Sequence, residues 1–206
     1  MTTLTSTDAA RVVERALGES ADALQALRSD AEARNAIARA AALIVEAFNG
    51  GKRVYSCGNG GSMCDAMHLA EELSGRFRGD RRGLAATAIS DPGHISCVAN
   101  DFGYEQVFAR YLESHAGAGD VLVAISTSGT SRNVLAAAKV ARTIGMQVVA
   151  LTGRRDSPLG AAADCAIATP GGRYADRVQE LHIKVIHILI ELIERDLFPD
   201  NYAGER

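Results

Sequence analysis

The sequence predicts an α/β fold, a doubly wound five-stranded parallel sheet flanked by helices and preceded by a helical hairpin. The main observation is that short β-rich segments alternate with helical segments over residues 52–206. Such alternation is typical of parallel strands joined by crossover helices. A second observation is that segments such as VLVAIS and QVVALT are almost continuously apolar, as expected for strands covered on both faces. No linker, low-complexity run or internal repeat divides the chain.

Residues 8–49 predict two helices, because apolar residues such as Leu17 and Leu24 recur at helical spacing. Asp30 is placed to cap the second helix, and Gly50-Gly51 ends it. This hairpin has more apolar surface than one solvated helix face needs, so it packs either on its own domain or on another copy of the chain. We therefore predict a hairpin for oligomerisation at 1–51 and an α/β domain at 52–206, forming one structural unit.

The alternating part begins after the hairpin, and its turns separate five β-rich segments. The predicted strands are residues 53–57, 85–90, 121–126, 147–152 and 165–169. The predicted helices between and after them are residues 63–74, 104–115, 133–144 and 175–197. In a sheet of this class, ligands bind beyond the carboxyl ends of the strands, where the strand order reverses. The loops that follow the strands are therefore the first places to look for a site.

Two of these loops are unusual, namely CGNGGS at 57–62 and STSGTS at 126–131. Both place small residues and free backbone N–H groups at the start of a helix, where the helix dipole favours an anion. The second loop adds several hydroxyl donors that suit a terminal phosphate. Either loop alone could be an ordinary turn and helix cap. Nucleotide-binding motifs fit poorly: the chain has no G-x-x-x-x-G-K-[ST], and in the first loop Met63 occupies the third glycine position of G-x-G-x-x-G.

Candidate proton-transfer groups lie on two of the predicted helices. His68 and Glu72 are four residues apart and share a helix face. The last helix carries Gln179, His182 and His187 in RVQELHIKVIHILIELI, and a histidine among Ile and Leu needs a partner or a function. Taken singly, each of these is more often structural. Together, a carboxylate and an imidazole would suffice for ketose–aldose conversion, which needs a base and an acid–base partner.

At this point the motifs closely resemble the phosphoheptose isomerases of the sugar isomerase (SIS) domain superfamily. The resemblance covers nearly the whole chain, with matching stretches GNGGSMCDAMHLAEELSGRF, AISDPGHISCVANDFGYE, GDVLVAISTSGTSRNVL and RVQELHIKVIHILIELIE. It implies the SIS fold and conversion of D-sedoheptulose 7-phosphate to D-glycero-D-manno-heptose 7-phosphate. By matching position, it implies Glu72 as the base at C1 and His187 as its acid–base partner.

The resemblance also implies a substrate site, a metal and an oligomer. The implied substrate contacts, with Glu72, are Asn59, Gly60, Gly61, Ser62, Asn100, Asp101, Ser126, Thr127, Ser128, Ser131 and Gln179. Some members bind zinc through residues that match His68, Glu72, Gln179 and His187. Gln179 and His187 are eight residues apart, about 12 Å along a straight helix, so joint ligation needs long reach or two copies of the chain. Members are homotetramers with active sites at subunit interfaces.

The bulk composition excludes other classes of partner. The formal net charge of −3 predicts no general affinity for nucleic acid or anionic membrane, and no nucleotide cofactor is expected. Four cysteines without a C-x-x-C pair predict buried, reduced thiols in a cytoplasmic protein, and no signal peptide is visible. The main alternative is a non-catalytic SIS-domain regulator of the replication-initiator-associating type. Proteins of that type lack the Glu and His matched here by Glu72 and His187.

Overall fold

The computed structural model of the protein describes residues 5–172 and 174–205. Residues 1–4, 173 and 206 of the two predicted units lie outside the described residues. The helices are α1 (Ser6–Ser29), α2 (Ala31–Asn49), α3 (Gly61–Ser74), α4 (Pro92–Phe102), α5 (Val107–His115), α6 (Arg132–Ile144), α7 (Pro158–Ala162) and α8 (Ala175–Leu197). The strands are β1 (Val54–Cys57), β2 (Ala86–Ala88), β3 (Val121–Ser126), β4 (Gln147–Thr152) and β5 (Cys165–Ala168). Short 3₁₀ helices follow at Tyr104–Gln106 and Pro199–Glu205.

The five strands form one parallel sheet in the order β2-β1-β3-β4-β5, which confirms the predicted fold class. β1 and β3 are neighbours in this sheet, with Cys57 of β1 paired with Ala124 of β3. The chain leaves β1 towards one edge of the sheet and leaves β3 towards the other, so the strand order reverses between them. The two unusual loops therefore begin side by side, at the place where this class of sheet binds ligands.

Helices cover both faces of the sheet and give the core two layers. Side chains of β3 alternate between the layers, with Val123 and Ile125 facing α2, α3 and α8, and with Leu122 and Ala124 facing α4, α5, α6 and α7. All six residues of β3 are buried. A strand that is covered on both faces is apolar along nearly its whole length, which explains the almost continuous apolar pattern that ends at Ser126.

Two helices were not predicted from the sequence, α4 and α7. Both begin with proline, which in a sequence is equally typical of a turn. Proline is also favoured in the first turn of a helix, because its missing N–H is not needed there. Asp91 caps α4 by accepting a hydrogen bond of 2.7 Å from the His94 amide. The predicted helix at 104–115 is divided into a 3₁₀ turn and α5.

The two helices of the N-terminal hairpin differ in how far they pack on the rest of the chain. α2 buries nine residues against the sheet and α8, and its predicted cap is confirmed because Asp30 accepts from the Ala33 amide at 3.0 Å. α1 buries only Leu27 among its described residues. Its apolar residues Val13 and Leu17 remain 58% and 67% exposed. α2 therefore packs on its own domain, whereas among residues 5–172 and 174–205 no surface covers the apolar face of α1.

The prediction of buried thiols is half right. Cys57 and Cys165 are buried, but Cys64 and Cys97 are exposed because each lies on the outer face of its helix. None of the four forms a disulfide. Among the described residues, no helix combines the length and the apolar character needed to cross a membrane.

Candidate active site

The first loop needs its glycines for steric reasons. A Cβ on Gly58 would lie 2.6 Å from the carbonyl oxygen of Ser62, and a Cβ on Gly61 would lie 2.7 Å from the amide group of Gln179. Gly60 has a φ of +55°, in the region that favours glycine. Gly60 also precedes α3 as its N-cap without a side-chain hydrogen bond. The loop therefore brings Gln179 of α8 against the uncapped start of α3.

The second loop gathers hydroxyl groups around Ser126. Its Oγ lies 3.0 Å from the Oγ of Ser131 and 3.5 Å from the Oγ of Ser128. The backbone of the loop is held as well, because the Gly129 amide donates to Ser126 at 3.1 Å, and the carbonyl of Thr127 accepts from the Gly153 amide at 2.9 Å. Ser131 is the N-cap of α6 and makes no side-chain cap. Hydroxyls and the positive end of a helix dipole thus converge at one point, as an anion site requires.

The two loops are joined by a pair of amides. Asn59 Nδ2 donates to Asn133 Oδ1 at 2.9 Å, and Asn133 Nδ2 donates to Asn59 Oδ1 at 2.8 Å. Asn59 belongs to the first loop, and Asn133 lies in the first turn of α6, next to the second loop. The reciprocal hydrogen bonds therefore fix the position of one loop relative to the other.

The candidate proton-transfer groups meet between α3 and α8. His68 Nε2 lies 3.4 Å from Glu72 Oε1 and 3.2 Å from His187 Nε2, although His68 and His187 are 119 residues apart. The ring of His187 also packs against Phe77, with ring centroids 5.8 Å apart. Burial lowers the pKa of His187, and the neighbouring His68 lowers it further while Glu72 opposes the shift. This shift favours the neutral imidazole of His187, a state in which it can accept or donate a proton.

A buried ion pair holds α3 and α8 together behind this cluster. The Arg81 guanidinium donates to the backbone carbonyls of Glu72 at 2.7 Å and Leu73 at 2.9 Å, near the end of α3. Its Nε donates to Glu194 of α8 at 2.7 Å. The side chains of Arg81 and Glu194 are only 1% and 0% exposed. Arg81 thus donates to two carbonyls at the end of the helix that carries Glu72 and ties that helix to the one that carries His187.

Three polar residues beside these groups escaped the sequence analysis. Asp65 and Glu71 lie one helical turn before and after His68, and the ligand atoms of His68, Glu71 and Glu72 lie within 4.8 Å of one another. Burial raises the pKa of Asp65 to about 6, against the opposing effect of His68. Helical spacing around His68 could have identified both acids. Asn133 had no local signal, because its partner is 74 residues away.

Two predicted substrate contacts, Asn100 and Asp101, are not joined to these groups by hydrogen bonds among the described residues. Asn100 and Asp101, at the end of α4, are exposed, and the Asn100 amide donates to Asp101 at 2.8 Å. Among the described residues neither side chain makes a hydrogen bond to the two loops. Gln179, by contrast, contacts the first loop at Gly61 and lies about 12 Å from His187 along α8.

The three side chains that meet also have suitable donors for a metal ion. A tetrahedral Zn²⁺ with bonds of about 2.0–2.1 Å to its ligands separates neighbouring ligand atoms by about 3.3–3.4 Å. The observed separations of 3.2 and 3.4 Å around His68 Nε2 are close to this value. Two separations within the set His68, Glu72 and His187 therefore match Zn²⁺. The described residues whose ligand atoms all lie within 4.8 Å of one another are His68, Glu71 and Glu72, while Gln179 lies at the first loop.

Comparisons with known proteins agree on one family. The family model "SIS domain" matches residues 18–153. Phosphoheptose isomerases of Yersinia enterocolitica and Klebsiella pneumoniae are 53% and 54% identical over 186 residues, covering 90% of this chain and 96% of each relative. The solved phosphoheptose isomerase of Neisseria gonorrhoeae superposes with a TM-score of 0.82 at 36% identity, over 89% of this chain and 97% of that one. The Francisella tularensis enzyme gives 0.85 at 30% identity, over 91% and 98%.

Proposed function

The chain belongs to the phosphoheptose isomerases of the SIS-domain family, and we propose that it converts D-sedoheptulose 7-phosphate to D-glycero-D-manno-heptose 7-phosphate with Glu72 as base and His187 as acid–base partner. One observation supports these roles above all. Glu72 and His187, on different helices, both reach the same imidazole nitrogen of His68. A carboxylate and a neutral imidazole are thereby held in one place.

This pair can perform both proton transfers of the reaction. The carboxylate of Glu72 takes a proton from C1 of the ketose, which gives an enediol, and a proton is returned at C2 to form the aldose. His187 moves protons between the oxygens on C1 and C2, a role for which a neutral imidazole is suited because it carries one donor and one acceptor nitrogen. Burial, which lowers the pKa of His187, keeps it in this form.

The phosphate is held by the second loop and the start of α6. Ser126 supplies one hydroxyl donor, and the hydroxyls of Ser128 and Ser131 lie within 3.5 Å of its Oγ. Thr127 completes the clamp. Because the chain has a net charge of −3, local donors and the helix dipole must provide the attraction for the anion. The first loop, with Asn59, Gly60, Gly61 and Ser62, adds contacts to the sugar, as do Asn100, Asp101 and Gln179.

Zn²⁺ is the metal that we propose for His68, Glu72 and His187, with Gln179 as a further ligand. The separations of His68 Nε2 from Glu72 Oε1 and from His187 Nε2 support this set. Bound there, Zn²⁺ would act as a Lewis acid that polarises a carbonyl oxygen. Glu72 serves either as ligand or as base at a given moment, and His187 either as ligand or as acid–base partner, because a donor atom bound to the metal cannot accept a proton as readily. Loss of activity on chelation, with recovery on addition of Zn²⁺, is the expected result.

The enzyme assembles as a homotetramer with active sites at subunit interfaces in this proposal. The exposed apolar face of α1, formed by Val13, Leu17 and Leu24, supports it, since these side chains are 58%, 67% and 45% exposed in the single chain. The distance along α8 between Gln179 and His187 also supports it. If these two residues serve one site, a second copy of the chain can supply one of them.

Incubation with sedoheptulose 7-phosphate, followed by NMR of the product, tests the function directly. Glu72→Gln should lower turnover by roughly 10²–10⁴-fold, the usual contribution of a general base, while circular dichroism and phosphate binding stay unchanged. Glu113→Gln, on the exposed side of α5, is the matched control and should retain full activity. Unchanged turnover by Glu72→Gln would exclude it as the base. Binding of the sugar phosphate without turnover by the unaltered chain would favour the non-catalytic regulator.

A further inference from the structure

The orientation of the Asn59 amide is determined by a chain of hydrogen bonds that begins at a backbone group. The Val134 amide, which can only donate, donates to Asn133 at 3.0 Å and so identifies that atom of Asn133 as its oxygen. The nitrogen of Asn133 then faces Asn59 at 2.8 Å, so the atom it meets must be the Asn59 oxygen. The Tyr104 hydroxyl also donates to this oxygen, at 3.2 Å.

This arrangement leaves the Asn59 side chain with one hydrogen-bonding position for a ligand. Its oxygen has two lone pairs, and both are occupied, by Asn133 and by Tyr104. Its nitrogen has two hydrogens, and one is donated to Asn133. Among the described residues the second hydrogen has no other partner. Asn59 can therefore offer a ligand only an N–H donor, which suits an oxygen of a sugar phosphate.

Asn133 itself is in no position to touch a ligand. It is 3% exposed and lies in the first turn of α6, beneath the loops. We infer that Asn133, assisted by the Tyr104 hydroxyl, is a positioning residue that fixes Asn59 as a hydrogen-bond donor to the sugar phosphate. This inference rests on the proposed function, because it takes Asn59 to be a substrate contact. It predicts that Asn133 influences activity only through its contact with Asn59.

The test is a double-mutant cycle with steady-state kinetics on sedoheptulose 7-phosphate. Asn133→Asp keeps the shape but places an acceptor against the Asn59 oxygen, so the Asn59 amide can no longer hold its orientation. We expect kcat/KM to fall by between about 10- and 100-fold, and Asn59→Ala to cause a similar fall. The double variant Asn59→Ala/Asn133→Asp should lose no more than Asn59→Ala alone. Asn35→Asp, exposed on α2, adds the same charge and should keep full activity.

A second variant guards against a folding defect in the first. Tyr104→Phe removes a donor to the same oxygen from a side chain that is 49% exposed, and should lower kcat/KM several-fold without a change in melting temperature. This loss should also disappear in an Asn59→Ala background. Additive losses in the cycle of Asn59 with Asn133 or with Tyr104, or full activity of a folded Asn133→Asp enzyme, would overturn this inference and leave the proposed function intact. Absence of turnover in the unaltered chain would overturn the proposed function and the inference with it.

Discussion

Replacement of Glu194 by Gln should strongly destabilise the protein, because it leaves the buried charge of Arg81 without its partner. One oxygen of Glu194 accepts from Arg81 at 2.7 Å and the other accepts from the Tyr202 hydroxyl at 2.8 Å. Both members of the ion pair are almost fully excluded from solvent. Glutamine has the same shape but only one acceptor oxygen, so one donor also loses its partner.

The magnitude follows from this burial. Removal of one partner of a buried ion pair costs about 3–5 kcal/mol, because water cannot take its place. In a domain of this size 1 kcal/mol lowers the melting temperature by about 2–4 °C, so the expected decrease is roughly 6–20 °C. Urea unfolding at a fixed protein concentration would measure the free energy of unfolding directly.

Glu191→Gln is a matched control on the same helix. Glu191 also pairs with two arginines, Arg78 at 2.8 Å and Arg195 at 2.8 Å, but its side chain is 29% exposed. Solvent screening limits such a pair to about 1 kcal/mol or less. A loss below about 1 kcal/mol for Glu194→Gln, or equal losses for the two variants, would refute the assignment of this stability to the buried pair.

Three other perturbations test the phosphate clamp, a buried histidine and the α1 surface. Ser128→Ala combined with Ser131→Ala should raise KM with little effect on kcat, since each lost hydrogen bond to a charged oxygen costs about 1.5–3 kcal/mol; an unaltered KM would count against the clamp. Burial lowers the pKa of His182 to about 4, despite an opposing contribution from the Thr152 backbone, against 6.5 for an ordinary histidine. The unfolded chain therefore takes up this proton first as the pH falls, and about 3 kcal/mol of stability should be lost between about pH 6.5 and about pH 4. Measured by urea unfolding across this range, the free energy of unfolding of His182→Leu should depend less on pH than that of the unaltered protein. An equal dependence on pH for the two proteins would contradict the assignment. If the proposed homotetramer forms through α1, Leu17→Lys should dissociate it in size-exclusion chromatography with light scattering, whereas Gln25→Lys, off the apolar face of α1, should not. An unchanged mass for Leu17→Lys would show that this face is not an interface.

Features that depend on neighbours in the sequence were predictable from the sequence alone. The alternation of strands and helices, the cap at Asp30, and the shared helix face of His68 and Glu72 all follow from spacing over a few residues. The two small-residue loops were also visible, and parallel strand topology placed both at the carboxyl ends of the strands. α4 was missed because its first residues, Pro92 and Gly93, are equally typical of a turn.

Contacts between distant segments were decided only by the tertiary structure. The meeting of His187 with His68, the amide pair of Asn59 and Asn133, and the pairing of Arg81 with Glu194 span between 74 and 119 residues. No local pattern encodes them, because each depends on the strand order and on how the crossover helices are rotated against the sheet. The division of the hairpin, with α2 buried and the apolar face of α1 exposed, has the same origin. Periodicity shows that a helix has an apolar face, and only the packing of the rest of the chain determines what covers that face.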